Sequence, residues 1–213
     1  MTKESKILIA VLVAAVGGMI GLFVLANSGS TPPGPVGDKT KIIRDNSHKT
    51  GTGSVQLVEF GDFQCPACGA AEPNVQQLLK DESDKVTFYF RNFPLVNVHQ
   101  NANASANAAE AAAAQGKYWE MHDKLYQTQT AWSTLSDPTE TFVGYAKDLG
   151  LDESKFRDAV TAKKFQSIID QDVADSNALA VNATPTFYFN GEKYTGKSTY
   201  DELKAKVESL VTK

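Results

Sequence analysis

Two cysteines separated by two residues, Cys65-Pro66-Ala67-Cys68, stand at the junction between two differently patterned segments. Upstream lies a short β-branched and aromatic run, Val55-Gln56-Leu57-Val58-Glu59-Phe60, which reads as a strand. Downstream, from Pro66 to Glu82, the apolar residues Val75, Leu78 and Leu79 fall on one face at helical spacing. A thiol pair at a strand-to-helix junction restricts the folds open to the chain, and the remaining segments restrict them further. Val86 to Phe90 is a second strand, so strand, helix and strand follow one another within ~40 residues, as in a parallel βαβ unit.

A long helical stretch comes next. Ala102 to Gln127 is rich in alanine, and Phe142 to Leu149 and Lys155 to Leu179 continue at helical period. Asp137-Pro138 and Gly150-Leu151-Asp152 read as breaks. The end returns to β and then α. Thr186 to Phe189, the turn Asn190-Gly191, and Glu192 to Thr195 form a hairpin with a type I′ turn. Thr199 to Val211 closes as an amphipathic helix that buries Leu203, Val207, Leu210 and Val211. Phe88, Phe90, Phe187 and Phe189 alternate along their strands and belong to the core. No internal repeat is visible.

At a helix N-terminus the unpaired N–H groups and the macrodipole favour an anion, so the Cys65 thiol ionises below its free value near ~8.5. Pro66 suits the first turn because its missing N–H costs nothing there. Cys65 is thus the expected exposed nucleophile. Cys68, one turn further in, is shielded and placed to resolve a mixed disulfide formed on Cys65. Three other readings are weaker. A bridge closing so short a loop stabilises by only ~2 kcal/mol, against nearly ~5 for a hundred-residue loop. A zinc site needs four ligands, whereas His48, His99 and His122 are scattered and there is no second cysteine pair. Inert core cysteines would give Pro66 no purpose. No metal and no cofactor is therefore expected.

Residues 7–26, ILIAVLVAAVGGMIGLFVLA, carry no charge and as a helix span ~30 Å, the thickness of a bilayer core. Lys3 and Lys6 precede this segment and the next basic residue is Lys39, which places residues 1–6 in the cytoplasm and the rest outside. Cleavage of a signal peptide near Ala26 is the alternative, although signal cores are shorter, at ~7–15 residues. Residues 27–46, beginning NSGSTPPGPVG, read as a linker to a domain over 47–213. With 21 basic and 25 acidic side chains the net charge is −4, which offers no footprint for nucleic acid.

Val58-Glu59-Phe60-Gly61-Asp62-Phe63-Gln64-Cys65-Pro66-Ala67-Cys68, together with Ala183-Thr184-Pro185-Thr186-Phe187-Tyr188-Phe189-Asn190-Gly191, resembles the DsbA-like thioredoxin-fold thiol–disulfide oxidoreductases, in particular their membrane-anchored bacterial branch. Arg91-Asn92-Phe93-Pro94-Leu95 and Gln115-Gly116-Lys117-Tyr118-Trp119-Glu120-Met121-His122 agree as well, so the likeness runs from about Ser47 to Lys213. It implies an α/β thioredoxin fold with a four-stranded sheet and a helical domain inserted over about 97–180. It implies a reversible Cys65–Cys68 disulfide, with Pro66 and Ala67 at the substrate face. Thr184-Pro185 becomes a cis pair facing the cysteines, and Thr184 offers its backbone to an extended substrate. Glu59 becomes a buried acid that exchanges protons with the buried cysteine, and Pro73 a kink in the helix. His99 reads as a surface or capping residue and His122 as helix packing.

These features lead to an extracytoplasmic enzyme that donates its disulfide to reduced or misfolded secreted and cell-surface proteins. A quinone-linked thiol oxidase of the membrane is the implied recharging partner, and the bilayer itself is met through residues 7–26. An isomerase or reductase fed by a membrane electron donor, and a peptide-binding module without turnover, are the alternatives.

Overall fold

The structure is a computed structural model, and residues 38–211 are described. The predicted membrane span over 7–26 lies outside them; among the described residues no helix is long and apolar enough to cross a membrane. Helix α1 (Lys39–Ile42) is followed by strands β1 (His48–Gly51) and β2 (Val55–Gly61), helix α2 (Pro66–Asp81) and strand β3 (Val86–Asn92). Six helices then intervene: α3 (Ala102–Ala113), α4 (Tyr118–Gln127), α5 (Gln129–Trp132), α6 (Thr139–Asp148), α7 (Glu153–Thr161) and α8 (Gln166–Ala178). Strands β4 (Thr186–Phe189) and β5 (Glu192–Lys193) and helix α9 (Tyr200–Val211) complete the order.

The sheet runs β1-β3-β2-β4-β5, with β2 and β3 parallel and every other pair antiparallel. It has five strands, not the four expected. The additional strand, β1, carries only His48, Lys49, Thr50 and Gly51 and joins the edge through backbone bonds to β3, so no apolar alternation announces it. Alternation along β2 divides the core in two. Val55 and Leu57 face α2, with Phe88, Phe90, Phe187 and Phe189 from the neighbouring strands. Val58 and Phe60 face the other way, towards Ile42, Tyr89 and Tyr188. Glu59 shares the parity of Leu57, which turns its carboxyl into the first layer beneath α2.

Several expected boundaries shift. The linker was expected to reach residue 46, but α1 is part of the domain: Ile42 is buried, and Arg44 donates to both oxygens of Asp175 at 2.6 Å. Buried Arg91 joins this layer by donating to Asp172 and Asp175 and to the carbonyls of Lys41 and Ile42. The stretch 102–127 is two helices, parted at Gly116, whose φ of +76° only glycine adopts readily. The stretch 155–179 also breaks, at Lys163 with φ +48°. In α9, Leu203 and Val207 are buried whereas Val211 is exposed. At the hairpin, Asn190 and Gly191 both have positive φ, the geometry a type I′ turn requires.

Candidate active site

Cys65 is the N-cap of α2, with extended backbone, and Pro66 occupies the first helical turn. The loop that delivers it is held from several directions. Asp62, fully buried, accepts from the backbone N–H of Gln64 at 2.8 Å and of Leu95 at 2.9 Å, and it pairs with His99 Nδ1 at 2.7 Å. Its carbonyl accepts from the Cys65 N–H. The helical insertion reaches over the same loop. Gln129 Nε2 donates to the carbonyls of Phe63 and Cys65 at 2.7 and 3.0 Å, and Gln64 spans from the Ser133 carbonyl to the Asn101 N–H. Gly69 makes room for this clamp, since a Cβ there would stand 2.8 Å from Gln129 Oε1.

The two sulfurs sit in unlike surroundings. Both cysteines are free thiols. Cys65 is 7% exposed and Cys68 1%, so Cys65 is the more accessible, although far less open than the expectation of an exposed thiol. Pro66 and Ala67, between them, are exposed. The Thr184–Pro185 bond is cis, and the Cys65 thiol donates to the Thr184 carbonyl at 3.5 Å. Thr184 itself is buried and Pro185 half-buried.

The electrostatics follow from this arrangement. The Cys68 thiol, above all, stabilises a Cys65 thiolate by hydrogen bonding, and the N–H groups of Cys68 and Ala67 assist against the opposing effect of burial. The result is a Cys65 pKa lowered from 9.0 to about 5. Burial pushes the Cys68 thiol far up, and the Cys65 sulfur and the Glu59 charge add to the shift. Burial likewise raises the Glu59 carboxyl well above its ordinary range, with Glu72 and Cys65 contributing. Glu59 is 1% exposed and its Oε2 has no hydrogen-bond partner. The site therefore pairs an easily ionised sulfur with one held in its thiol form, above a buried carboxyl whose pKa is raised.

Structure thus brings Cys65, Cys68, Thr184 and Pro185 into one site, with Glu59 coupled to it from below. Pro73 lies inside α2 as expected. His99, read as a surface or capping residue, is an anchor of the loop through Asp62. Asp62, Gln64 and Gln129 were missed as site residues. Gln64 stood inside the quoted motif, but Gln129 carried no signal because its partners lie more than sixty positions away.

A thioredoxin family profile matches residues 51–209, and the chain belongs to that family. Within it, the chain is similar to DsbA-like oxidoreductases. It is 29% identical over 164 residues to a probable disulfide bond formation protein D of Bacillus anthracis, covering 75% of each chain. Among solved structures it is similar to the thiol-disulfide exchange protein alpha-DsbA2 of Wolbachia pipientis, with 25% identity and a TM-score of 0.69 over 81% of this chain and 91% of that one. It also matches a Na(+)/H(+) antiporter, NhaA 1 of Salinispora arenicola, at 38% identity over 166 residues, or 78% of this chain. The chain spans only 24% of that relative's length.

Proposed function

We propose that the chain is an extracytoplasmic thiol–disulfide oxidoreductase that donates its Cys65–Cys68 disulfide to secreted or cell-surface proteins. The observation that carries this reading is the contrast between the two sulfurs. A substrate thiolate attacks Cys65 Sγ of the disulfide, and Cys68 departs and takes up a proton, for which the buried acid Glu59 is the source at hand. A second substrate thiolate then attacks the substrate sulfur of the mixed disulfide, and Cys65 leaves as a thiolate. A leaving group with a pKa near 5 departs readily at neutral pH. The substrate gains one disulfide and the protein ends as a dithiol, two electrons richer.

The carbonyl of Thr184 beside Cys65 supports docking of an extended substrate segment across Thr184 and Pro185. The uncharged segment over 7–26 and the lysines before it support a single-pass anchor with a cytoplasmic N-terminus. Outside the cytosol a donor of disulfides is useful and its products persist. A membrane thiol oxidase linked to quinone would accept the two electrons.

The test uses the purified, oxidised full chain and a reduced, unfolded ribonuclease. Recovery of ribonuclease disulfides is expected, and Cys68→Ser should accumulate a mixed disulfide through Cys65. Trapping through Cys68 in Cys65→Ser instead would reverse the roles. Substrate binding that survives Cys65→Ser, with no exchange by the unaltered protein, would leave only a peptide-binding module.

A further inference from the structure

On the flank of α2 that faces α4, three polar side chains, Glu72, His122 and Asp123, converge. The His122 ring is fully buried among aromatic rings, with centroids 5.4 Å from Phe63, 4.8 Å from Phe90, 5.1 Å from Trp119 and 5.1 Å from Tyr126. Its Nδ1 is the atom that meets polar partners, with Asp123 Oδ1 at 3.0 Å and Glu72 Oε1 at 3.7 Å. One ligand atom from each residue can be chosen so that all lie within 4.8 Å of one another. Among the described residues, neither carboxylate forms an ion pair with a lysine or arginine.

Two further observations point to a cation as ligand. Glu72 is 6% exposed, and its Oε2 is buried with no hydrogen-bond partner. An orphaned buried carboxylate oxygen costs free energy that a cation would recover. A cleft of about 240 Å3 opens over the cluster, lined by Glu72, Asp123, Gln76, Gly69 and Tyr126, and it supplies both an entry path and room for water ligands. Gln76 Nε2 now bridges Glu72 Oε1 and Asp123 Oδ1 at 2.6 and 3.0 Å; a half-turn of that amide would aim its oxygen at the same point.

We infer that Glu72, His122 and Asp123 bind a divalent first-row transition cation, zinc ahead of manganese, at the side of the cysteine-bearing helix. One imidazole nitrogen with two carboxylate oxygens suits zinc and its neighbours, whereas calcium and magnesium favour oxygen alone. Ligands at ~2.0–2.2 Å from zinc stand about 3.4 Å apart in a tetrahedral site; the imidazole already stands 3.0 Å from Asp123 and 3.7 Å from Glu72, so side-chain torsions alone must close the remaining gaps. The cation takes the Nδ1 lone pair, and the ring proton resides on Nε2 inside the aromatic cage. No bond to either cysteine is involved. The site extends the function proposed above and does not depend on it. Sequence alone concealed it, because Glu72 and His122 are fifty positions apart and meet only where α2 packs against α4.

The test is zinc titration, against a chromogenic chelator, of the tag-free full chain with Cys65 and Cys68 oxidised, so that the thiols cannot bind metal. One equivalent of zinc is expected, with magnesium and calcium far weaker. Asp123→Asn and Glu72→Gln should each weaken zinc by about tenfold or more, since each removes one of three protein ligands. Asp123 is 36% exposed at its side chain, so that variant carries the test without disturbing the core. Zinc should also raise the melting temperature of the unaltered oxidised protein and not that of Asp123→Asn. Failure of the oxidised protein to take up zinc, or equal uptake by both variants, would overturn the site.

Discussion

The sulfur of Cys65 lies 3.5 Å from the carbonyl oxygen of Thr184, a residue 119 positions further along the chain. That contact joins the start of α2 to the entry of β4, and it exists because β2 pairs with β4 antiparallel, Phe60 opposite Thr186. The strand that ends near Cys65 therefore lies beside the strand that begins after Pro185. The sheet topology, more than any local sequence, assembles the site.

Alkylation of Cys65 by iodoacetamide should show a single inflection near pH 5 in a Cys68-intact, reduced protein, because the Cys65 thiol is lowered from 9.0 to about 5. The same shift gives the reduced form a pH-dependent stability. A depressed folded pKa stabilises where the thiolate forms, so the gain is complete above pH 9, shrinks below it and is gone below pH 5. Urea midpoints of the reduced protein should rise from pH 5 to pH 8 relative to those of the oxidised protein. Parallel midpoints across that range would contradict a low Cys65 pKa.

Glu59→Gln should stabilise the protein at neutral pH. The folded-state pKa of Glu59 is raised above its ordinary 4.5, so its contribution is greatest below that value and is lost as pH rises. The advantage of the variant in urea should therefore grow between pH 4 and pH 8. Thiol–disulfide exchange should slow at the same time, because Cys68 loses its nearby proton source. A variant that exchanges at the original rate would remove Glu59 from the chemistry.

Gln129→Ala strips two donors from the loop that carries Cys65. Loss of about 1–2 kcal/mol is expected, with faster hydrogen exchange across residues 62–69 than elsewhere in the domain. Uniform exchange would mean that the insertion does not hold the loop.

Arg91→Leu leaves the buried Asp172 without its cation while Asp175 keeps Arg44, at a cost of about 3–5 kcal/mol. The urea midpoint reads this directly. A loss under about 1 kcal/mol would show that the two Asn92 donors suffice for Asp172.

Much of this was legible in the residues themselves. The strand over 55–60 and the helix from Pro66 announced their periods, whereas the burial of Glu59 was implied by the family resemblance. The residues that fix the cysteine loop were not legible: Asp62, Gln64 and Gln129 are ordinary polar side chains whose partners come from distant elements. Strand β1 was hidden for a related reason, since His48-Lys49-Thr50-Gly51 has no apolar alternation, and the partners of its His48 side chain, Glu110 and Tyr118, come from distant helices. The break near Lys163 escaped because a lysine seldom adopts positive φ; here the turn is closed by backbone bonds from Lys163 and Lys164 to the carbonyls of Val160 and Ala159.

The most direct measurement is the equilibrium reduction potential of the Cys65–Cys68 couple against glutathione. A Cys65 thiolate stabilised in the reduced form makes the disulfide oxidising, so a value between those of thioredoxin, ~−270 mV, and DsbA, ~−120 mV, is predicted. A potential at or below that of thioredoxin would contradict disulfide donation and turn the same two sulfurs into a reductant.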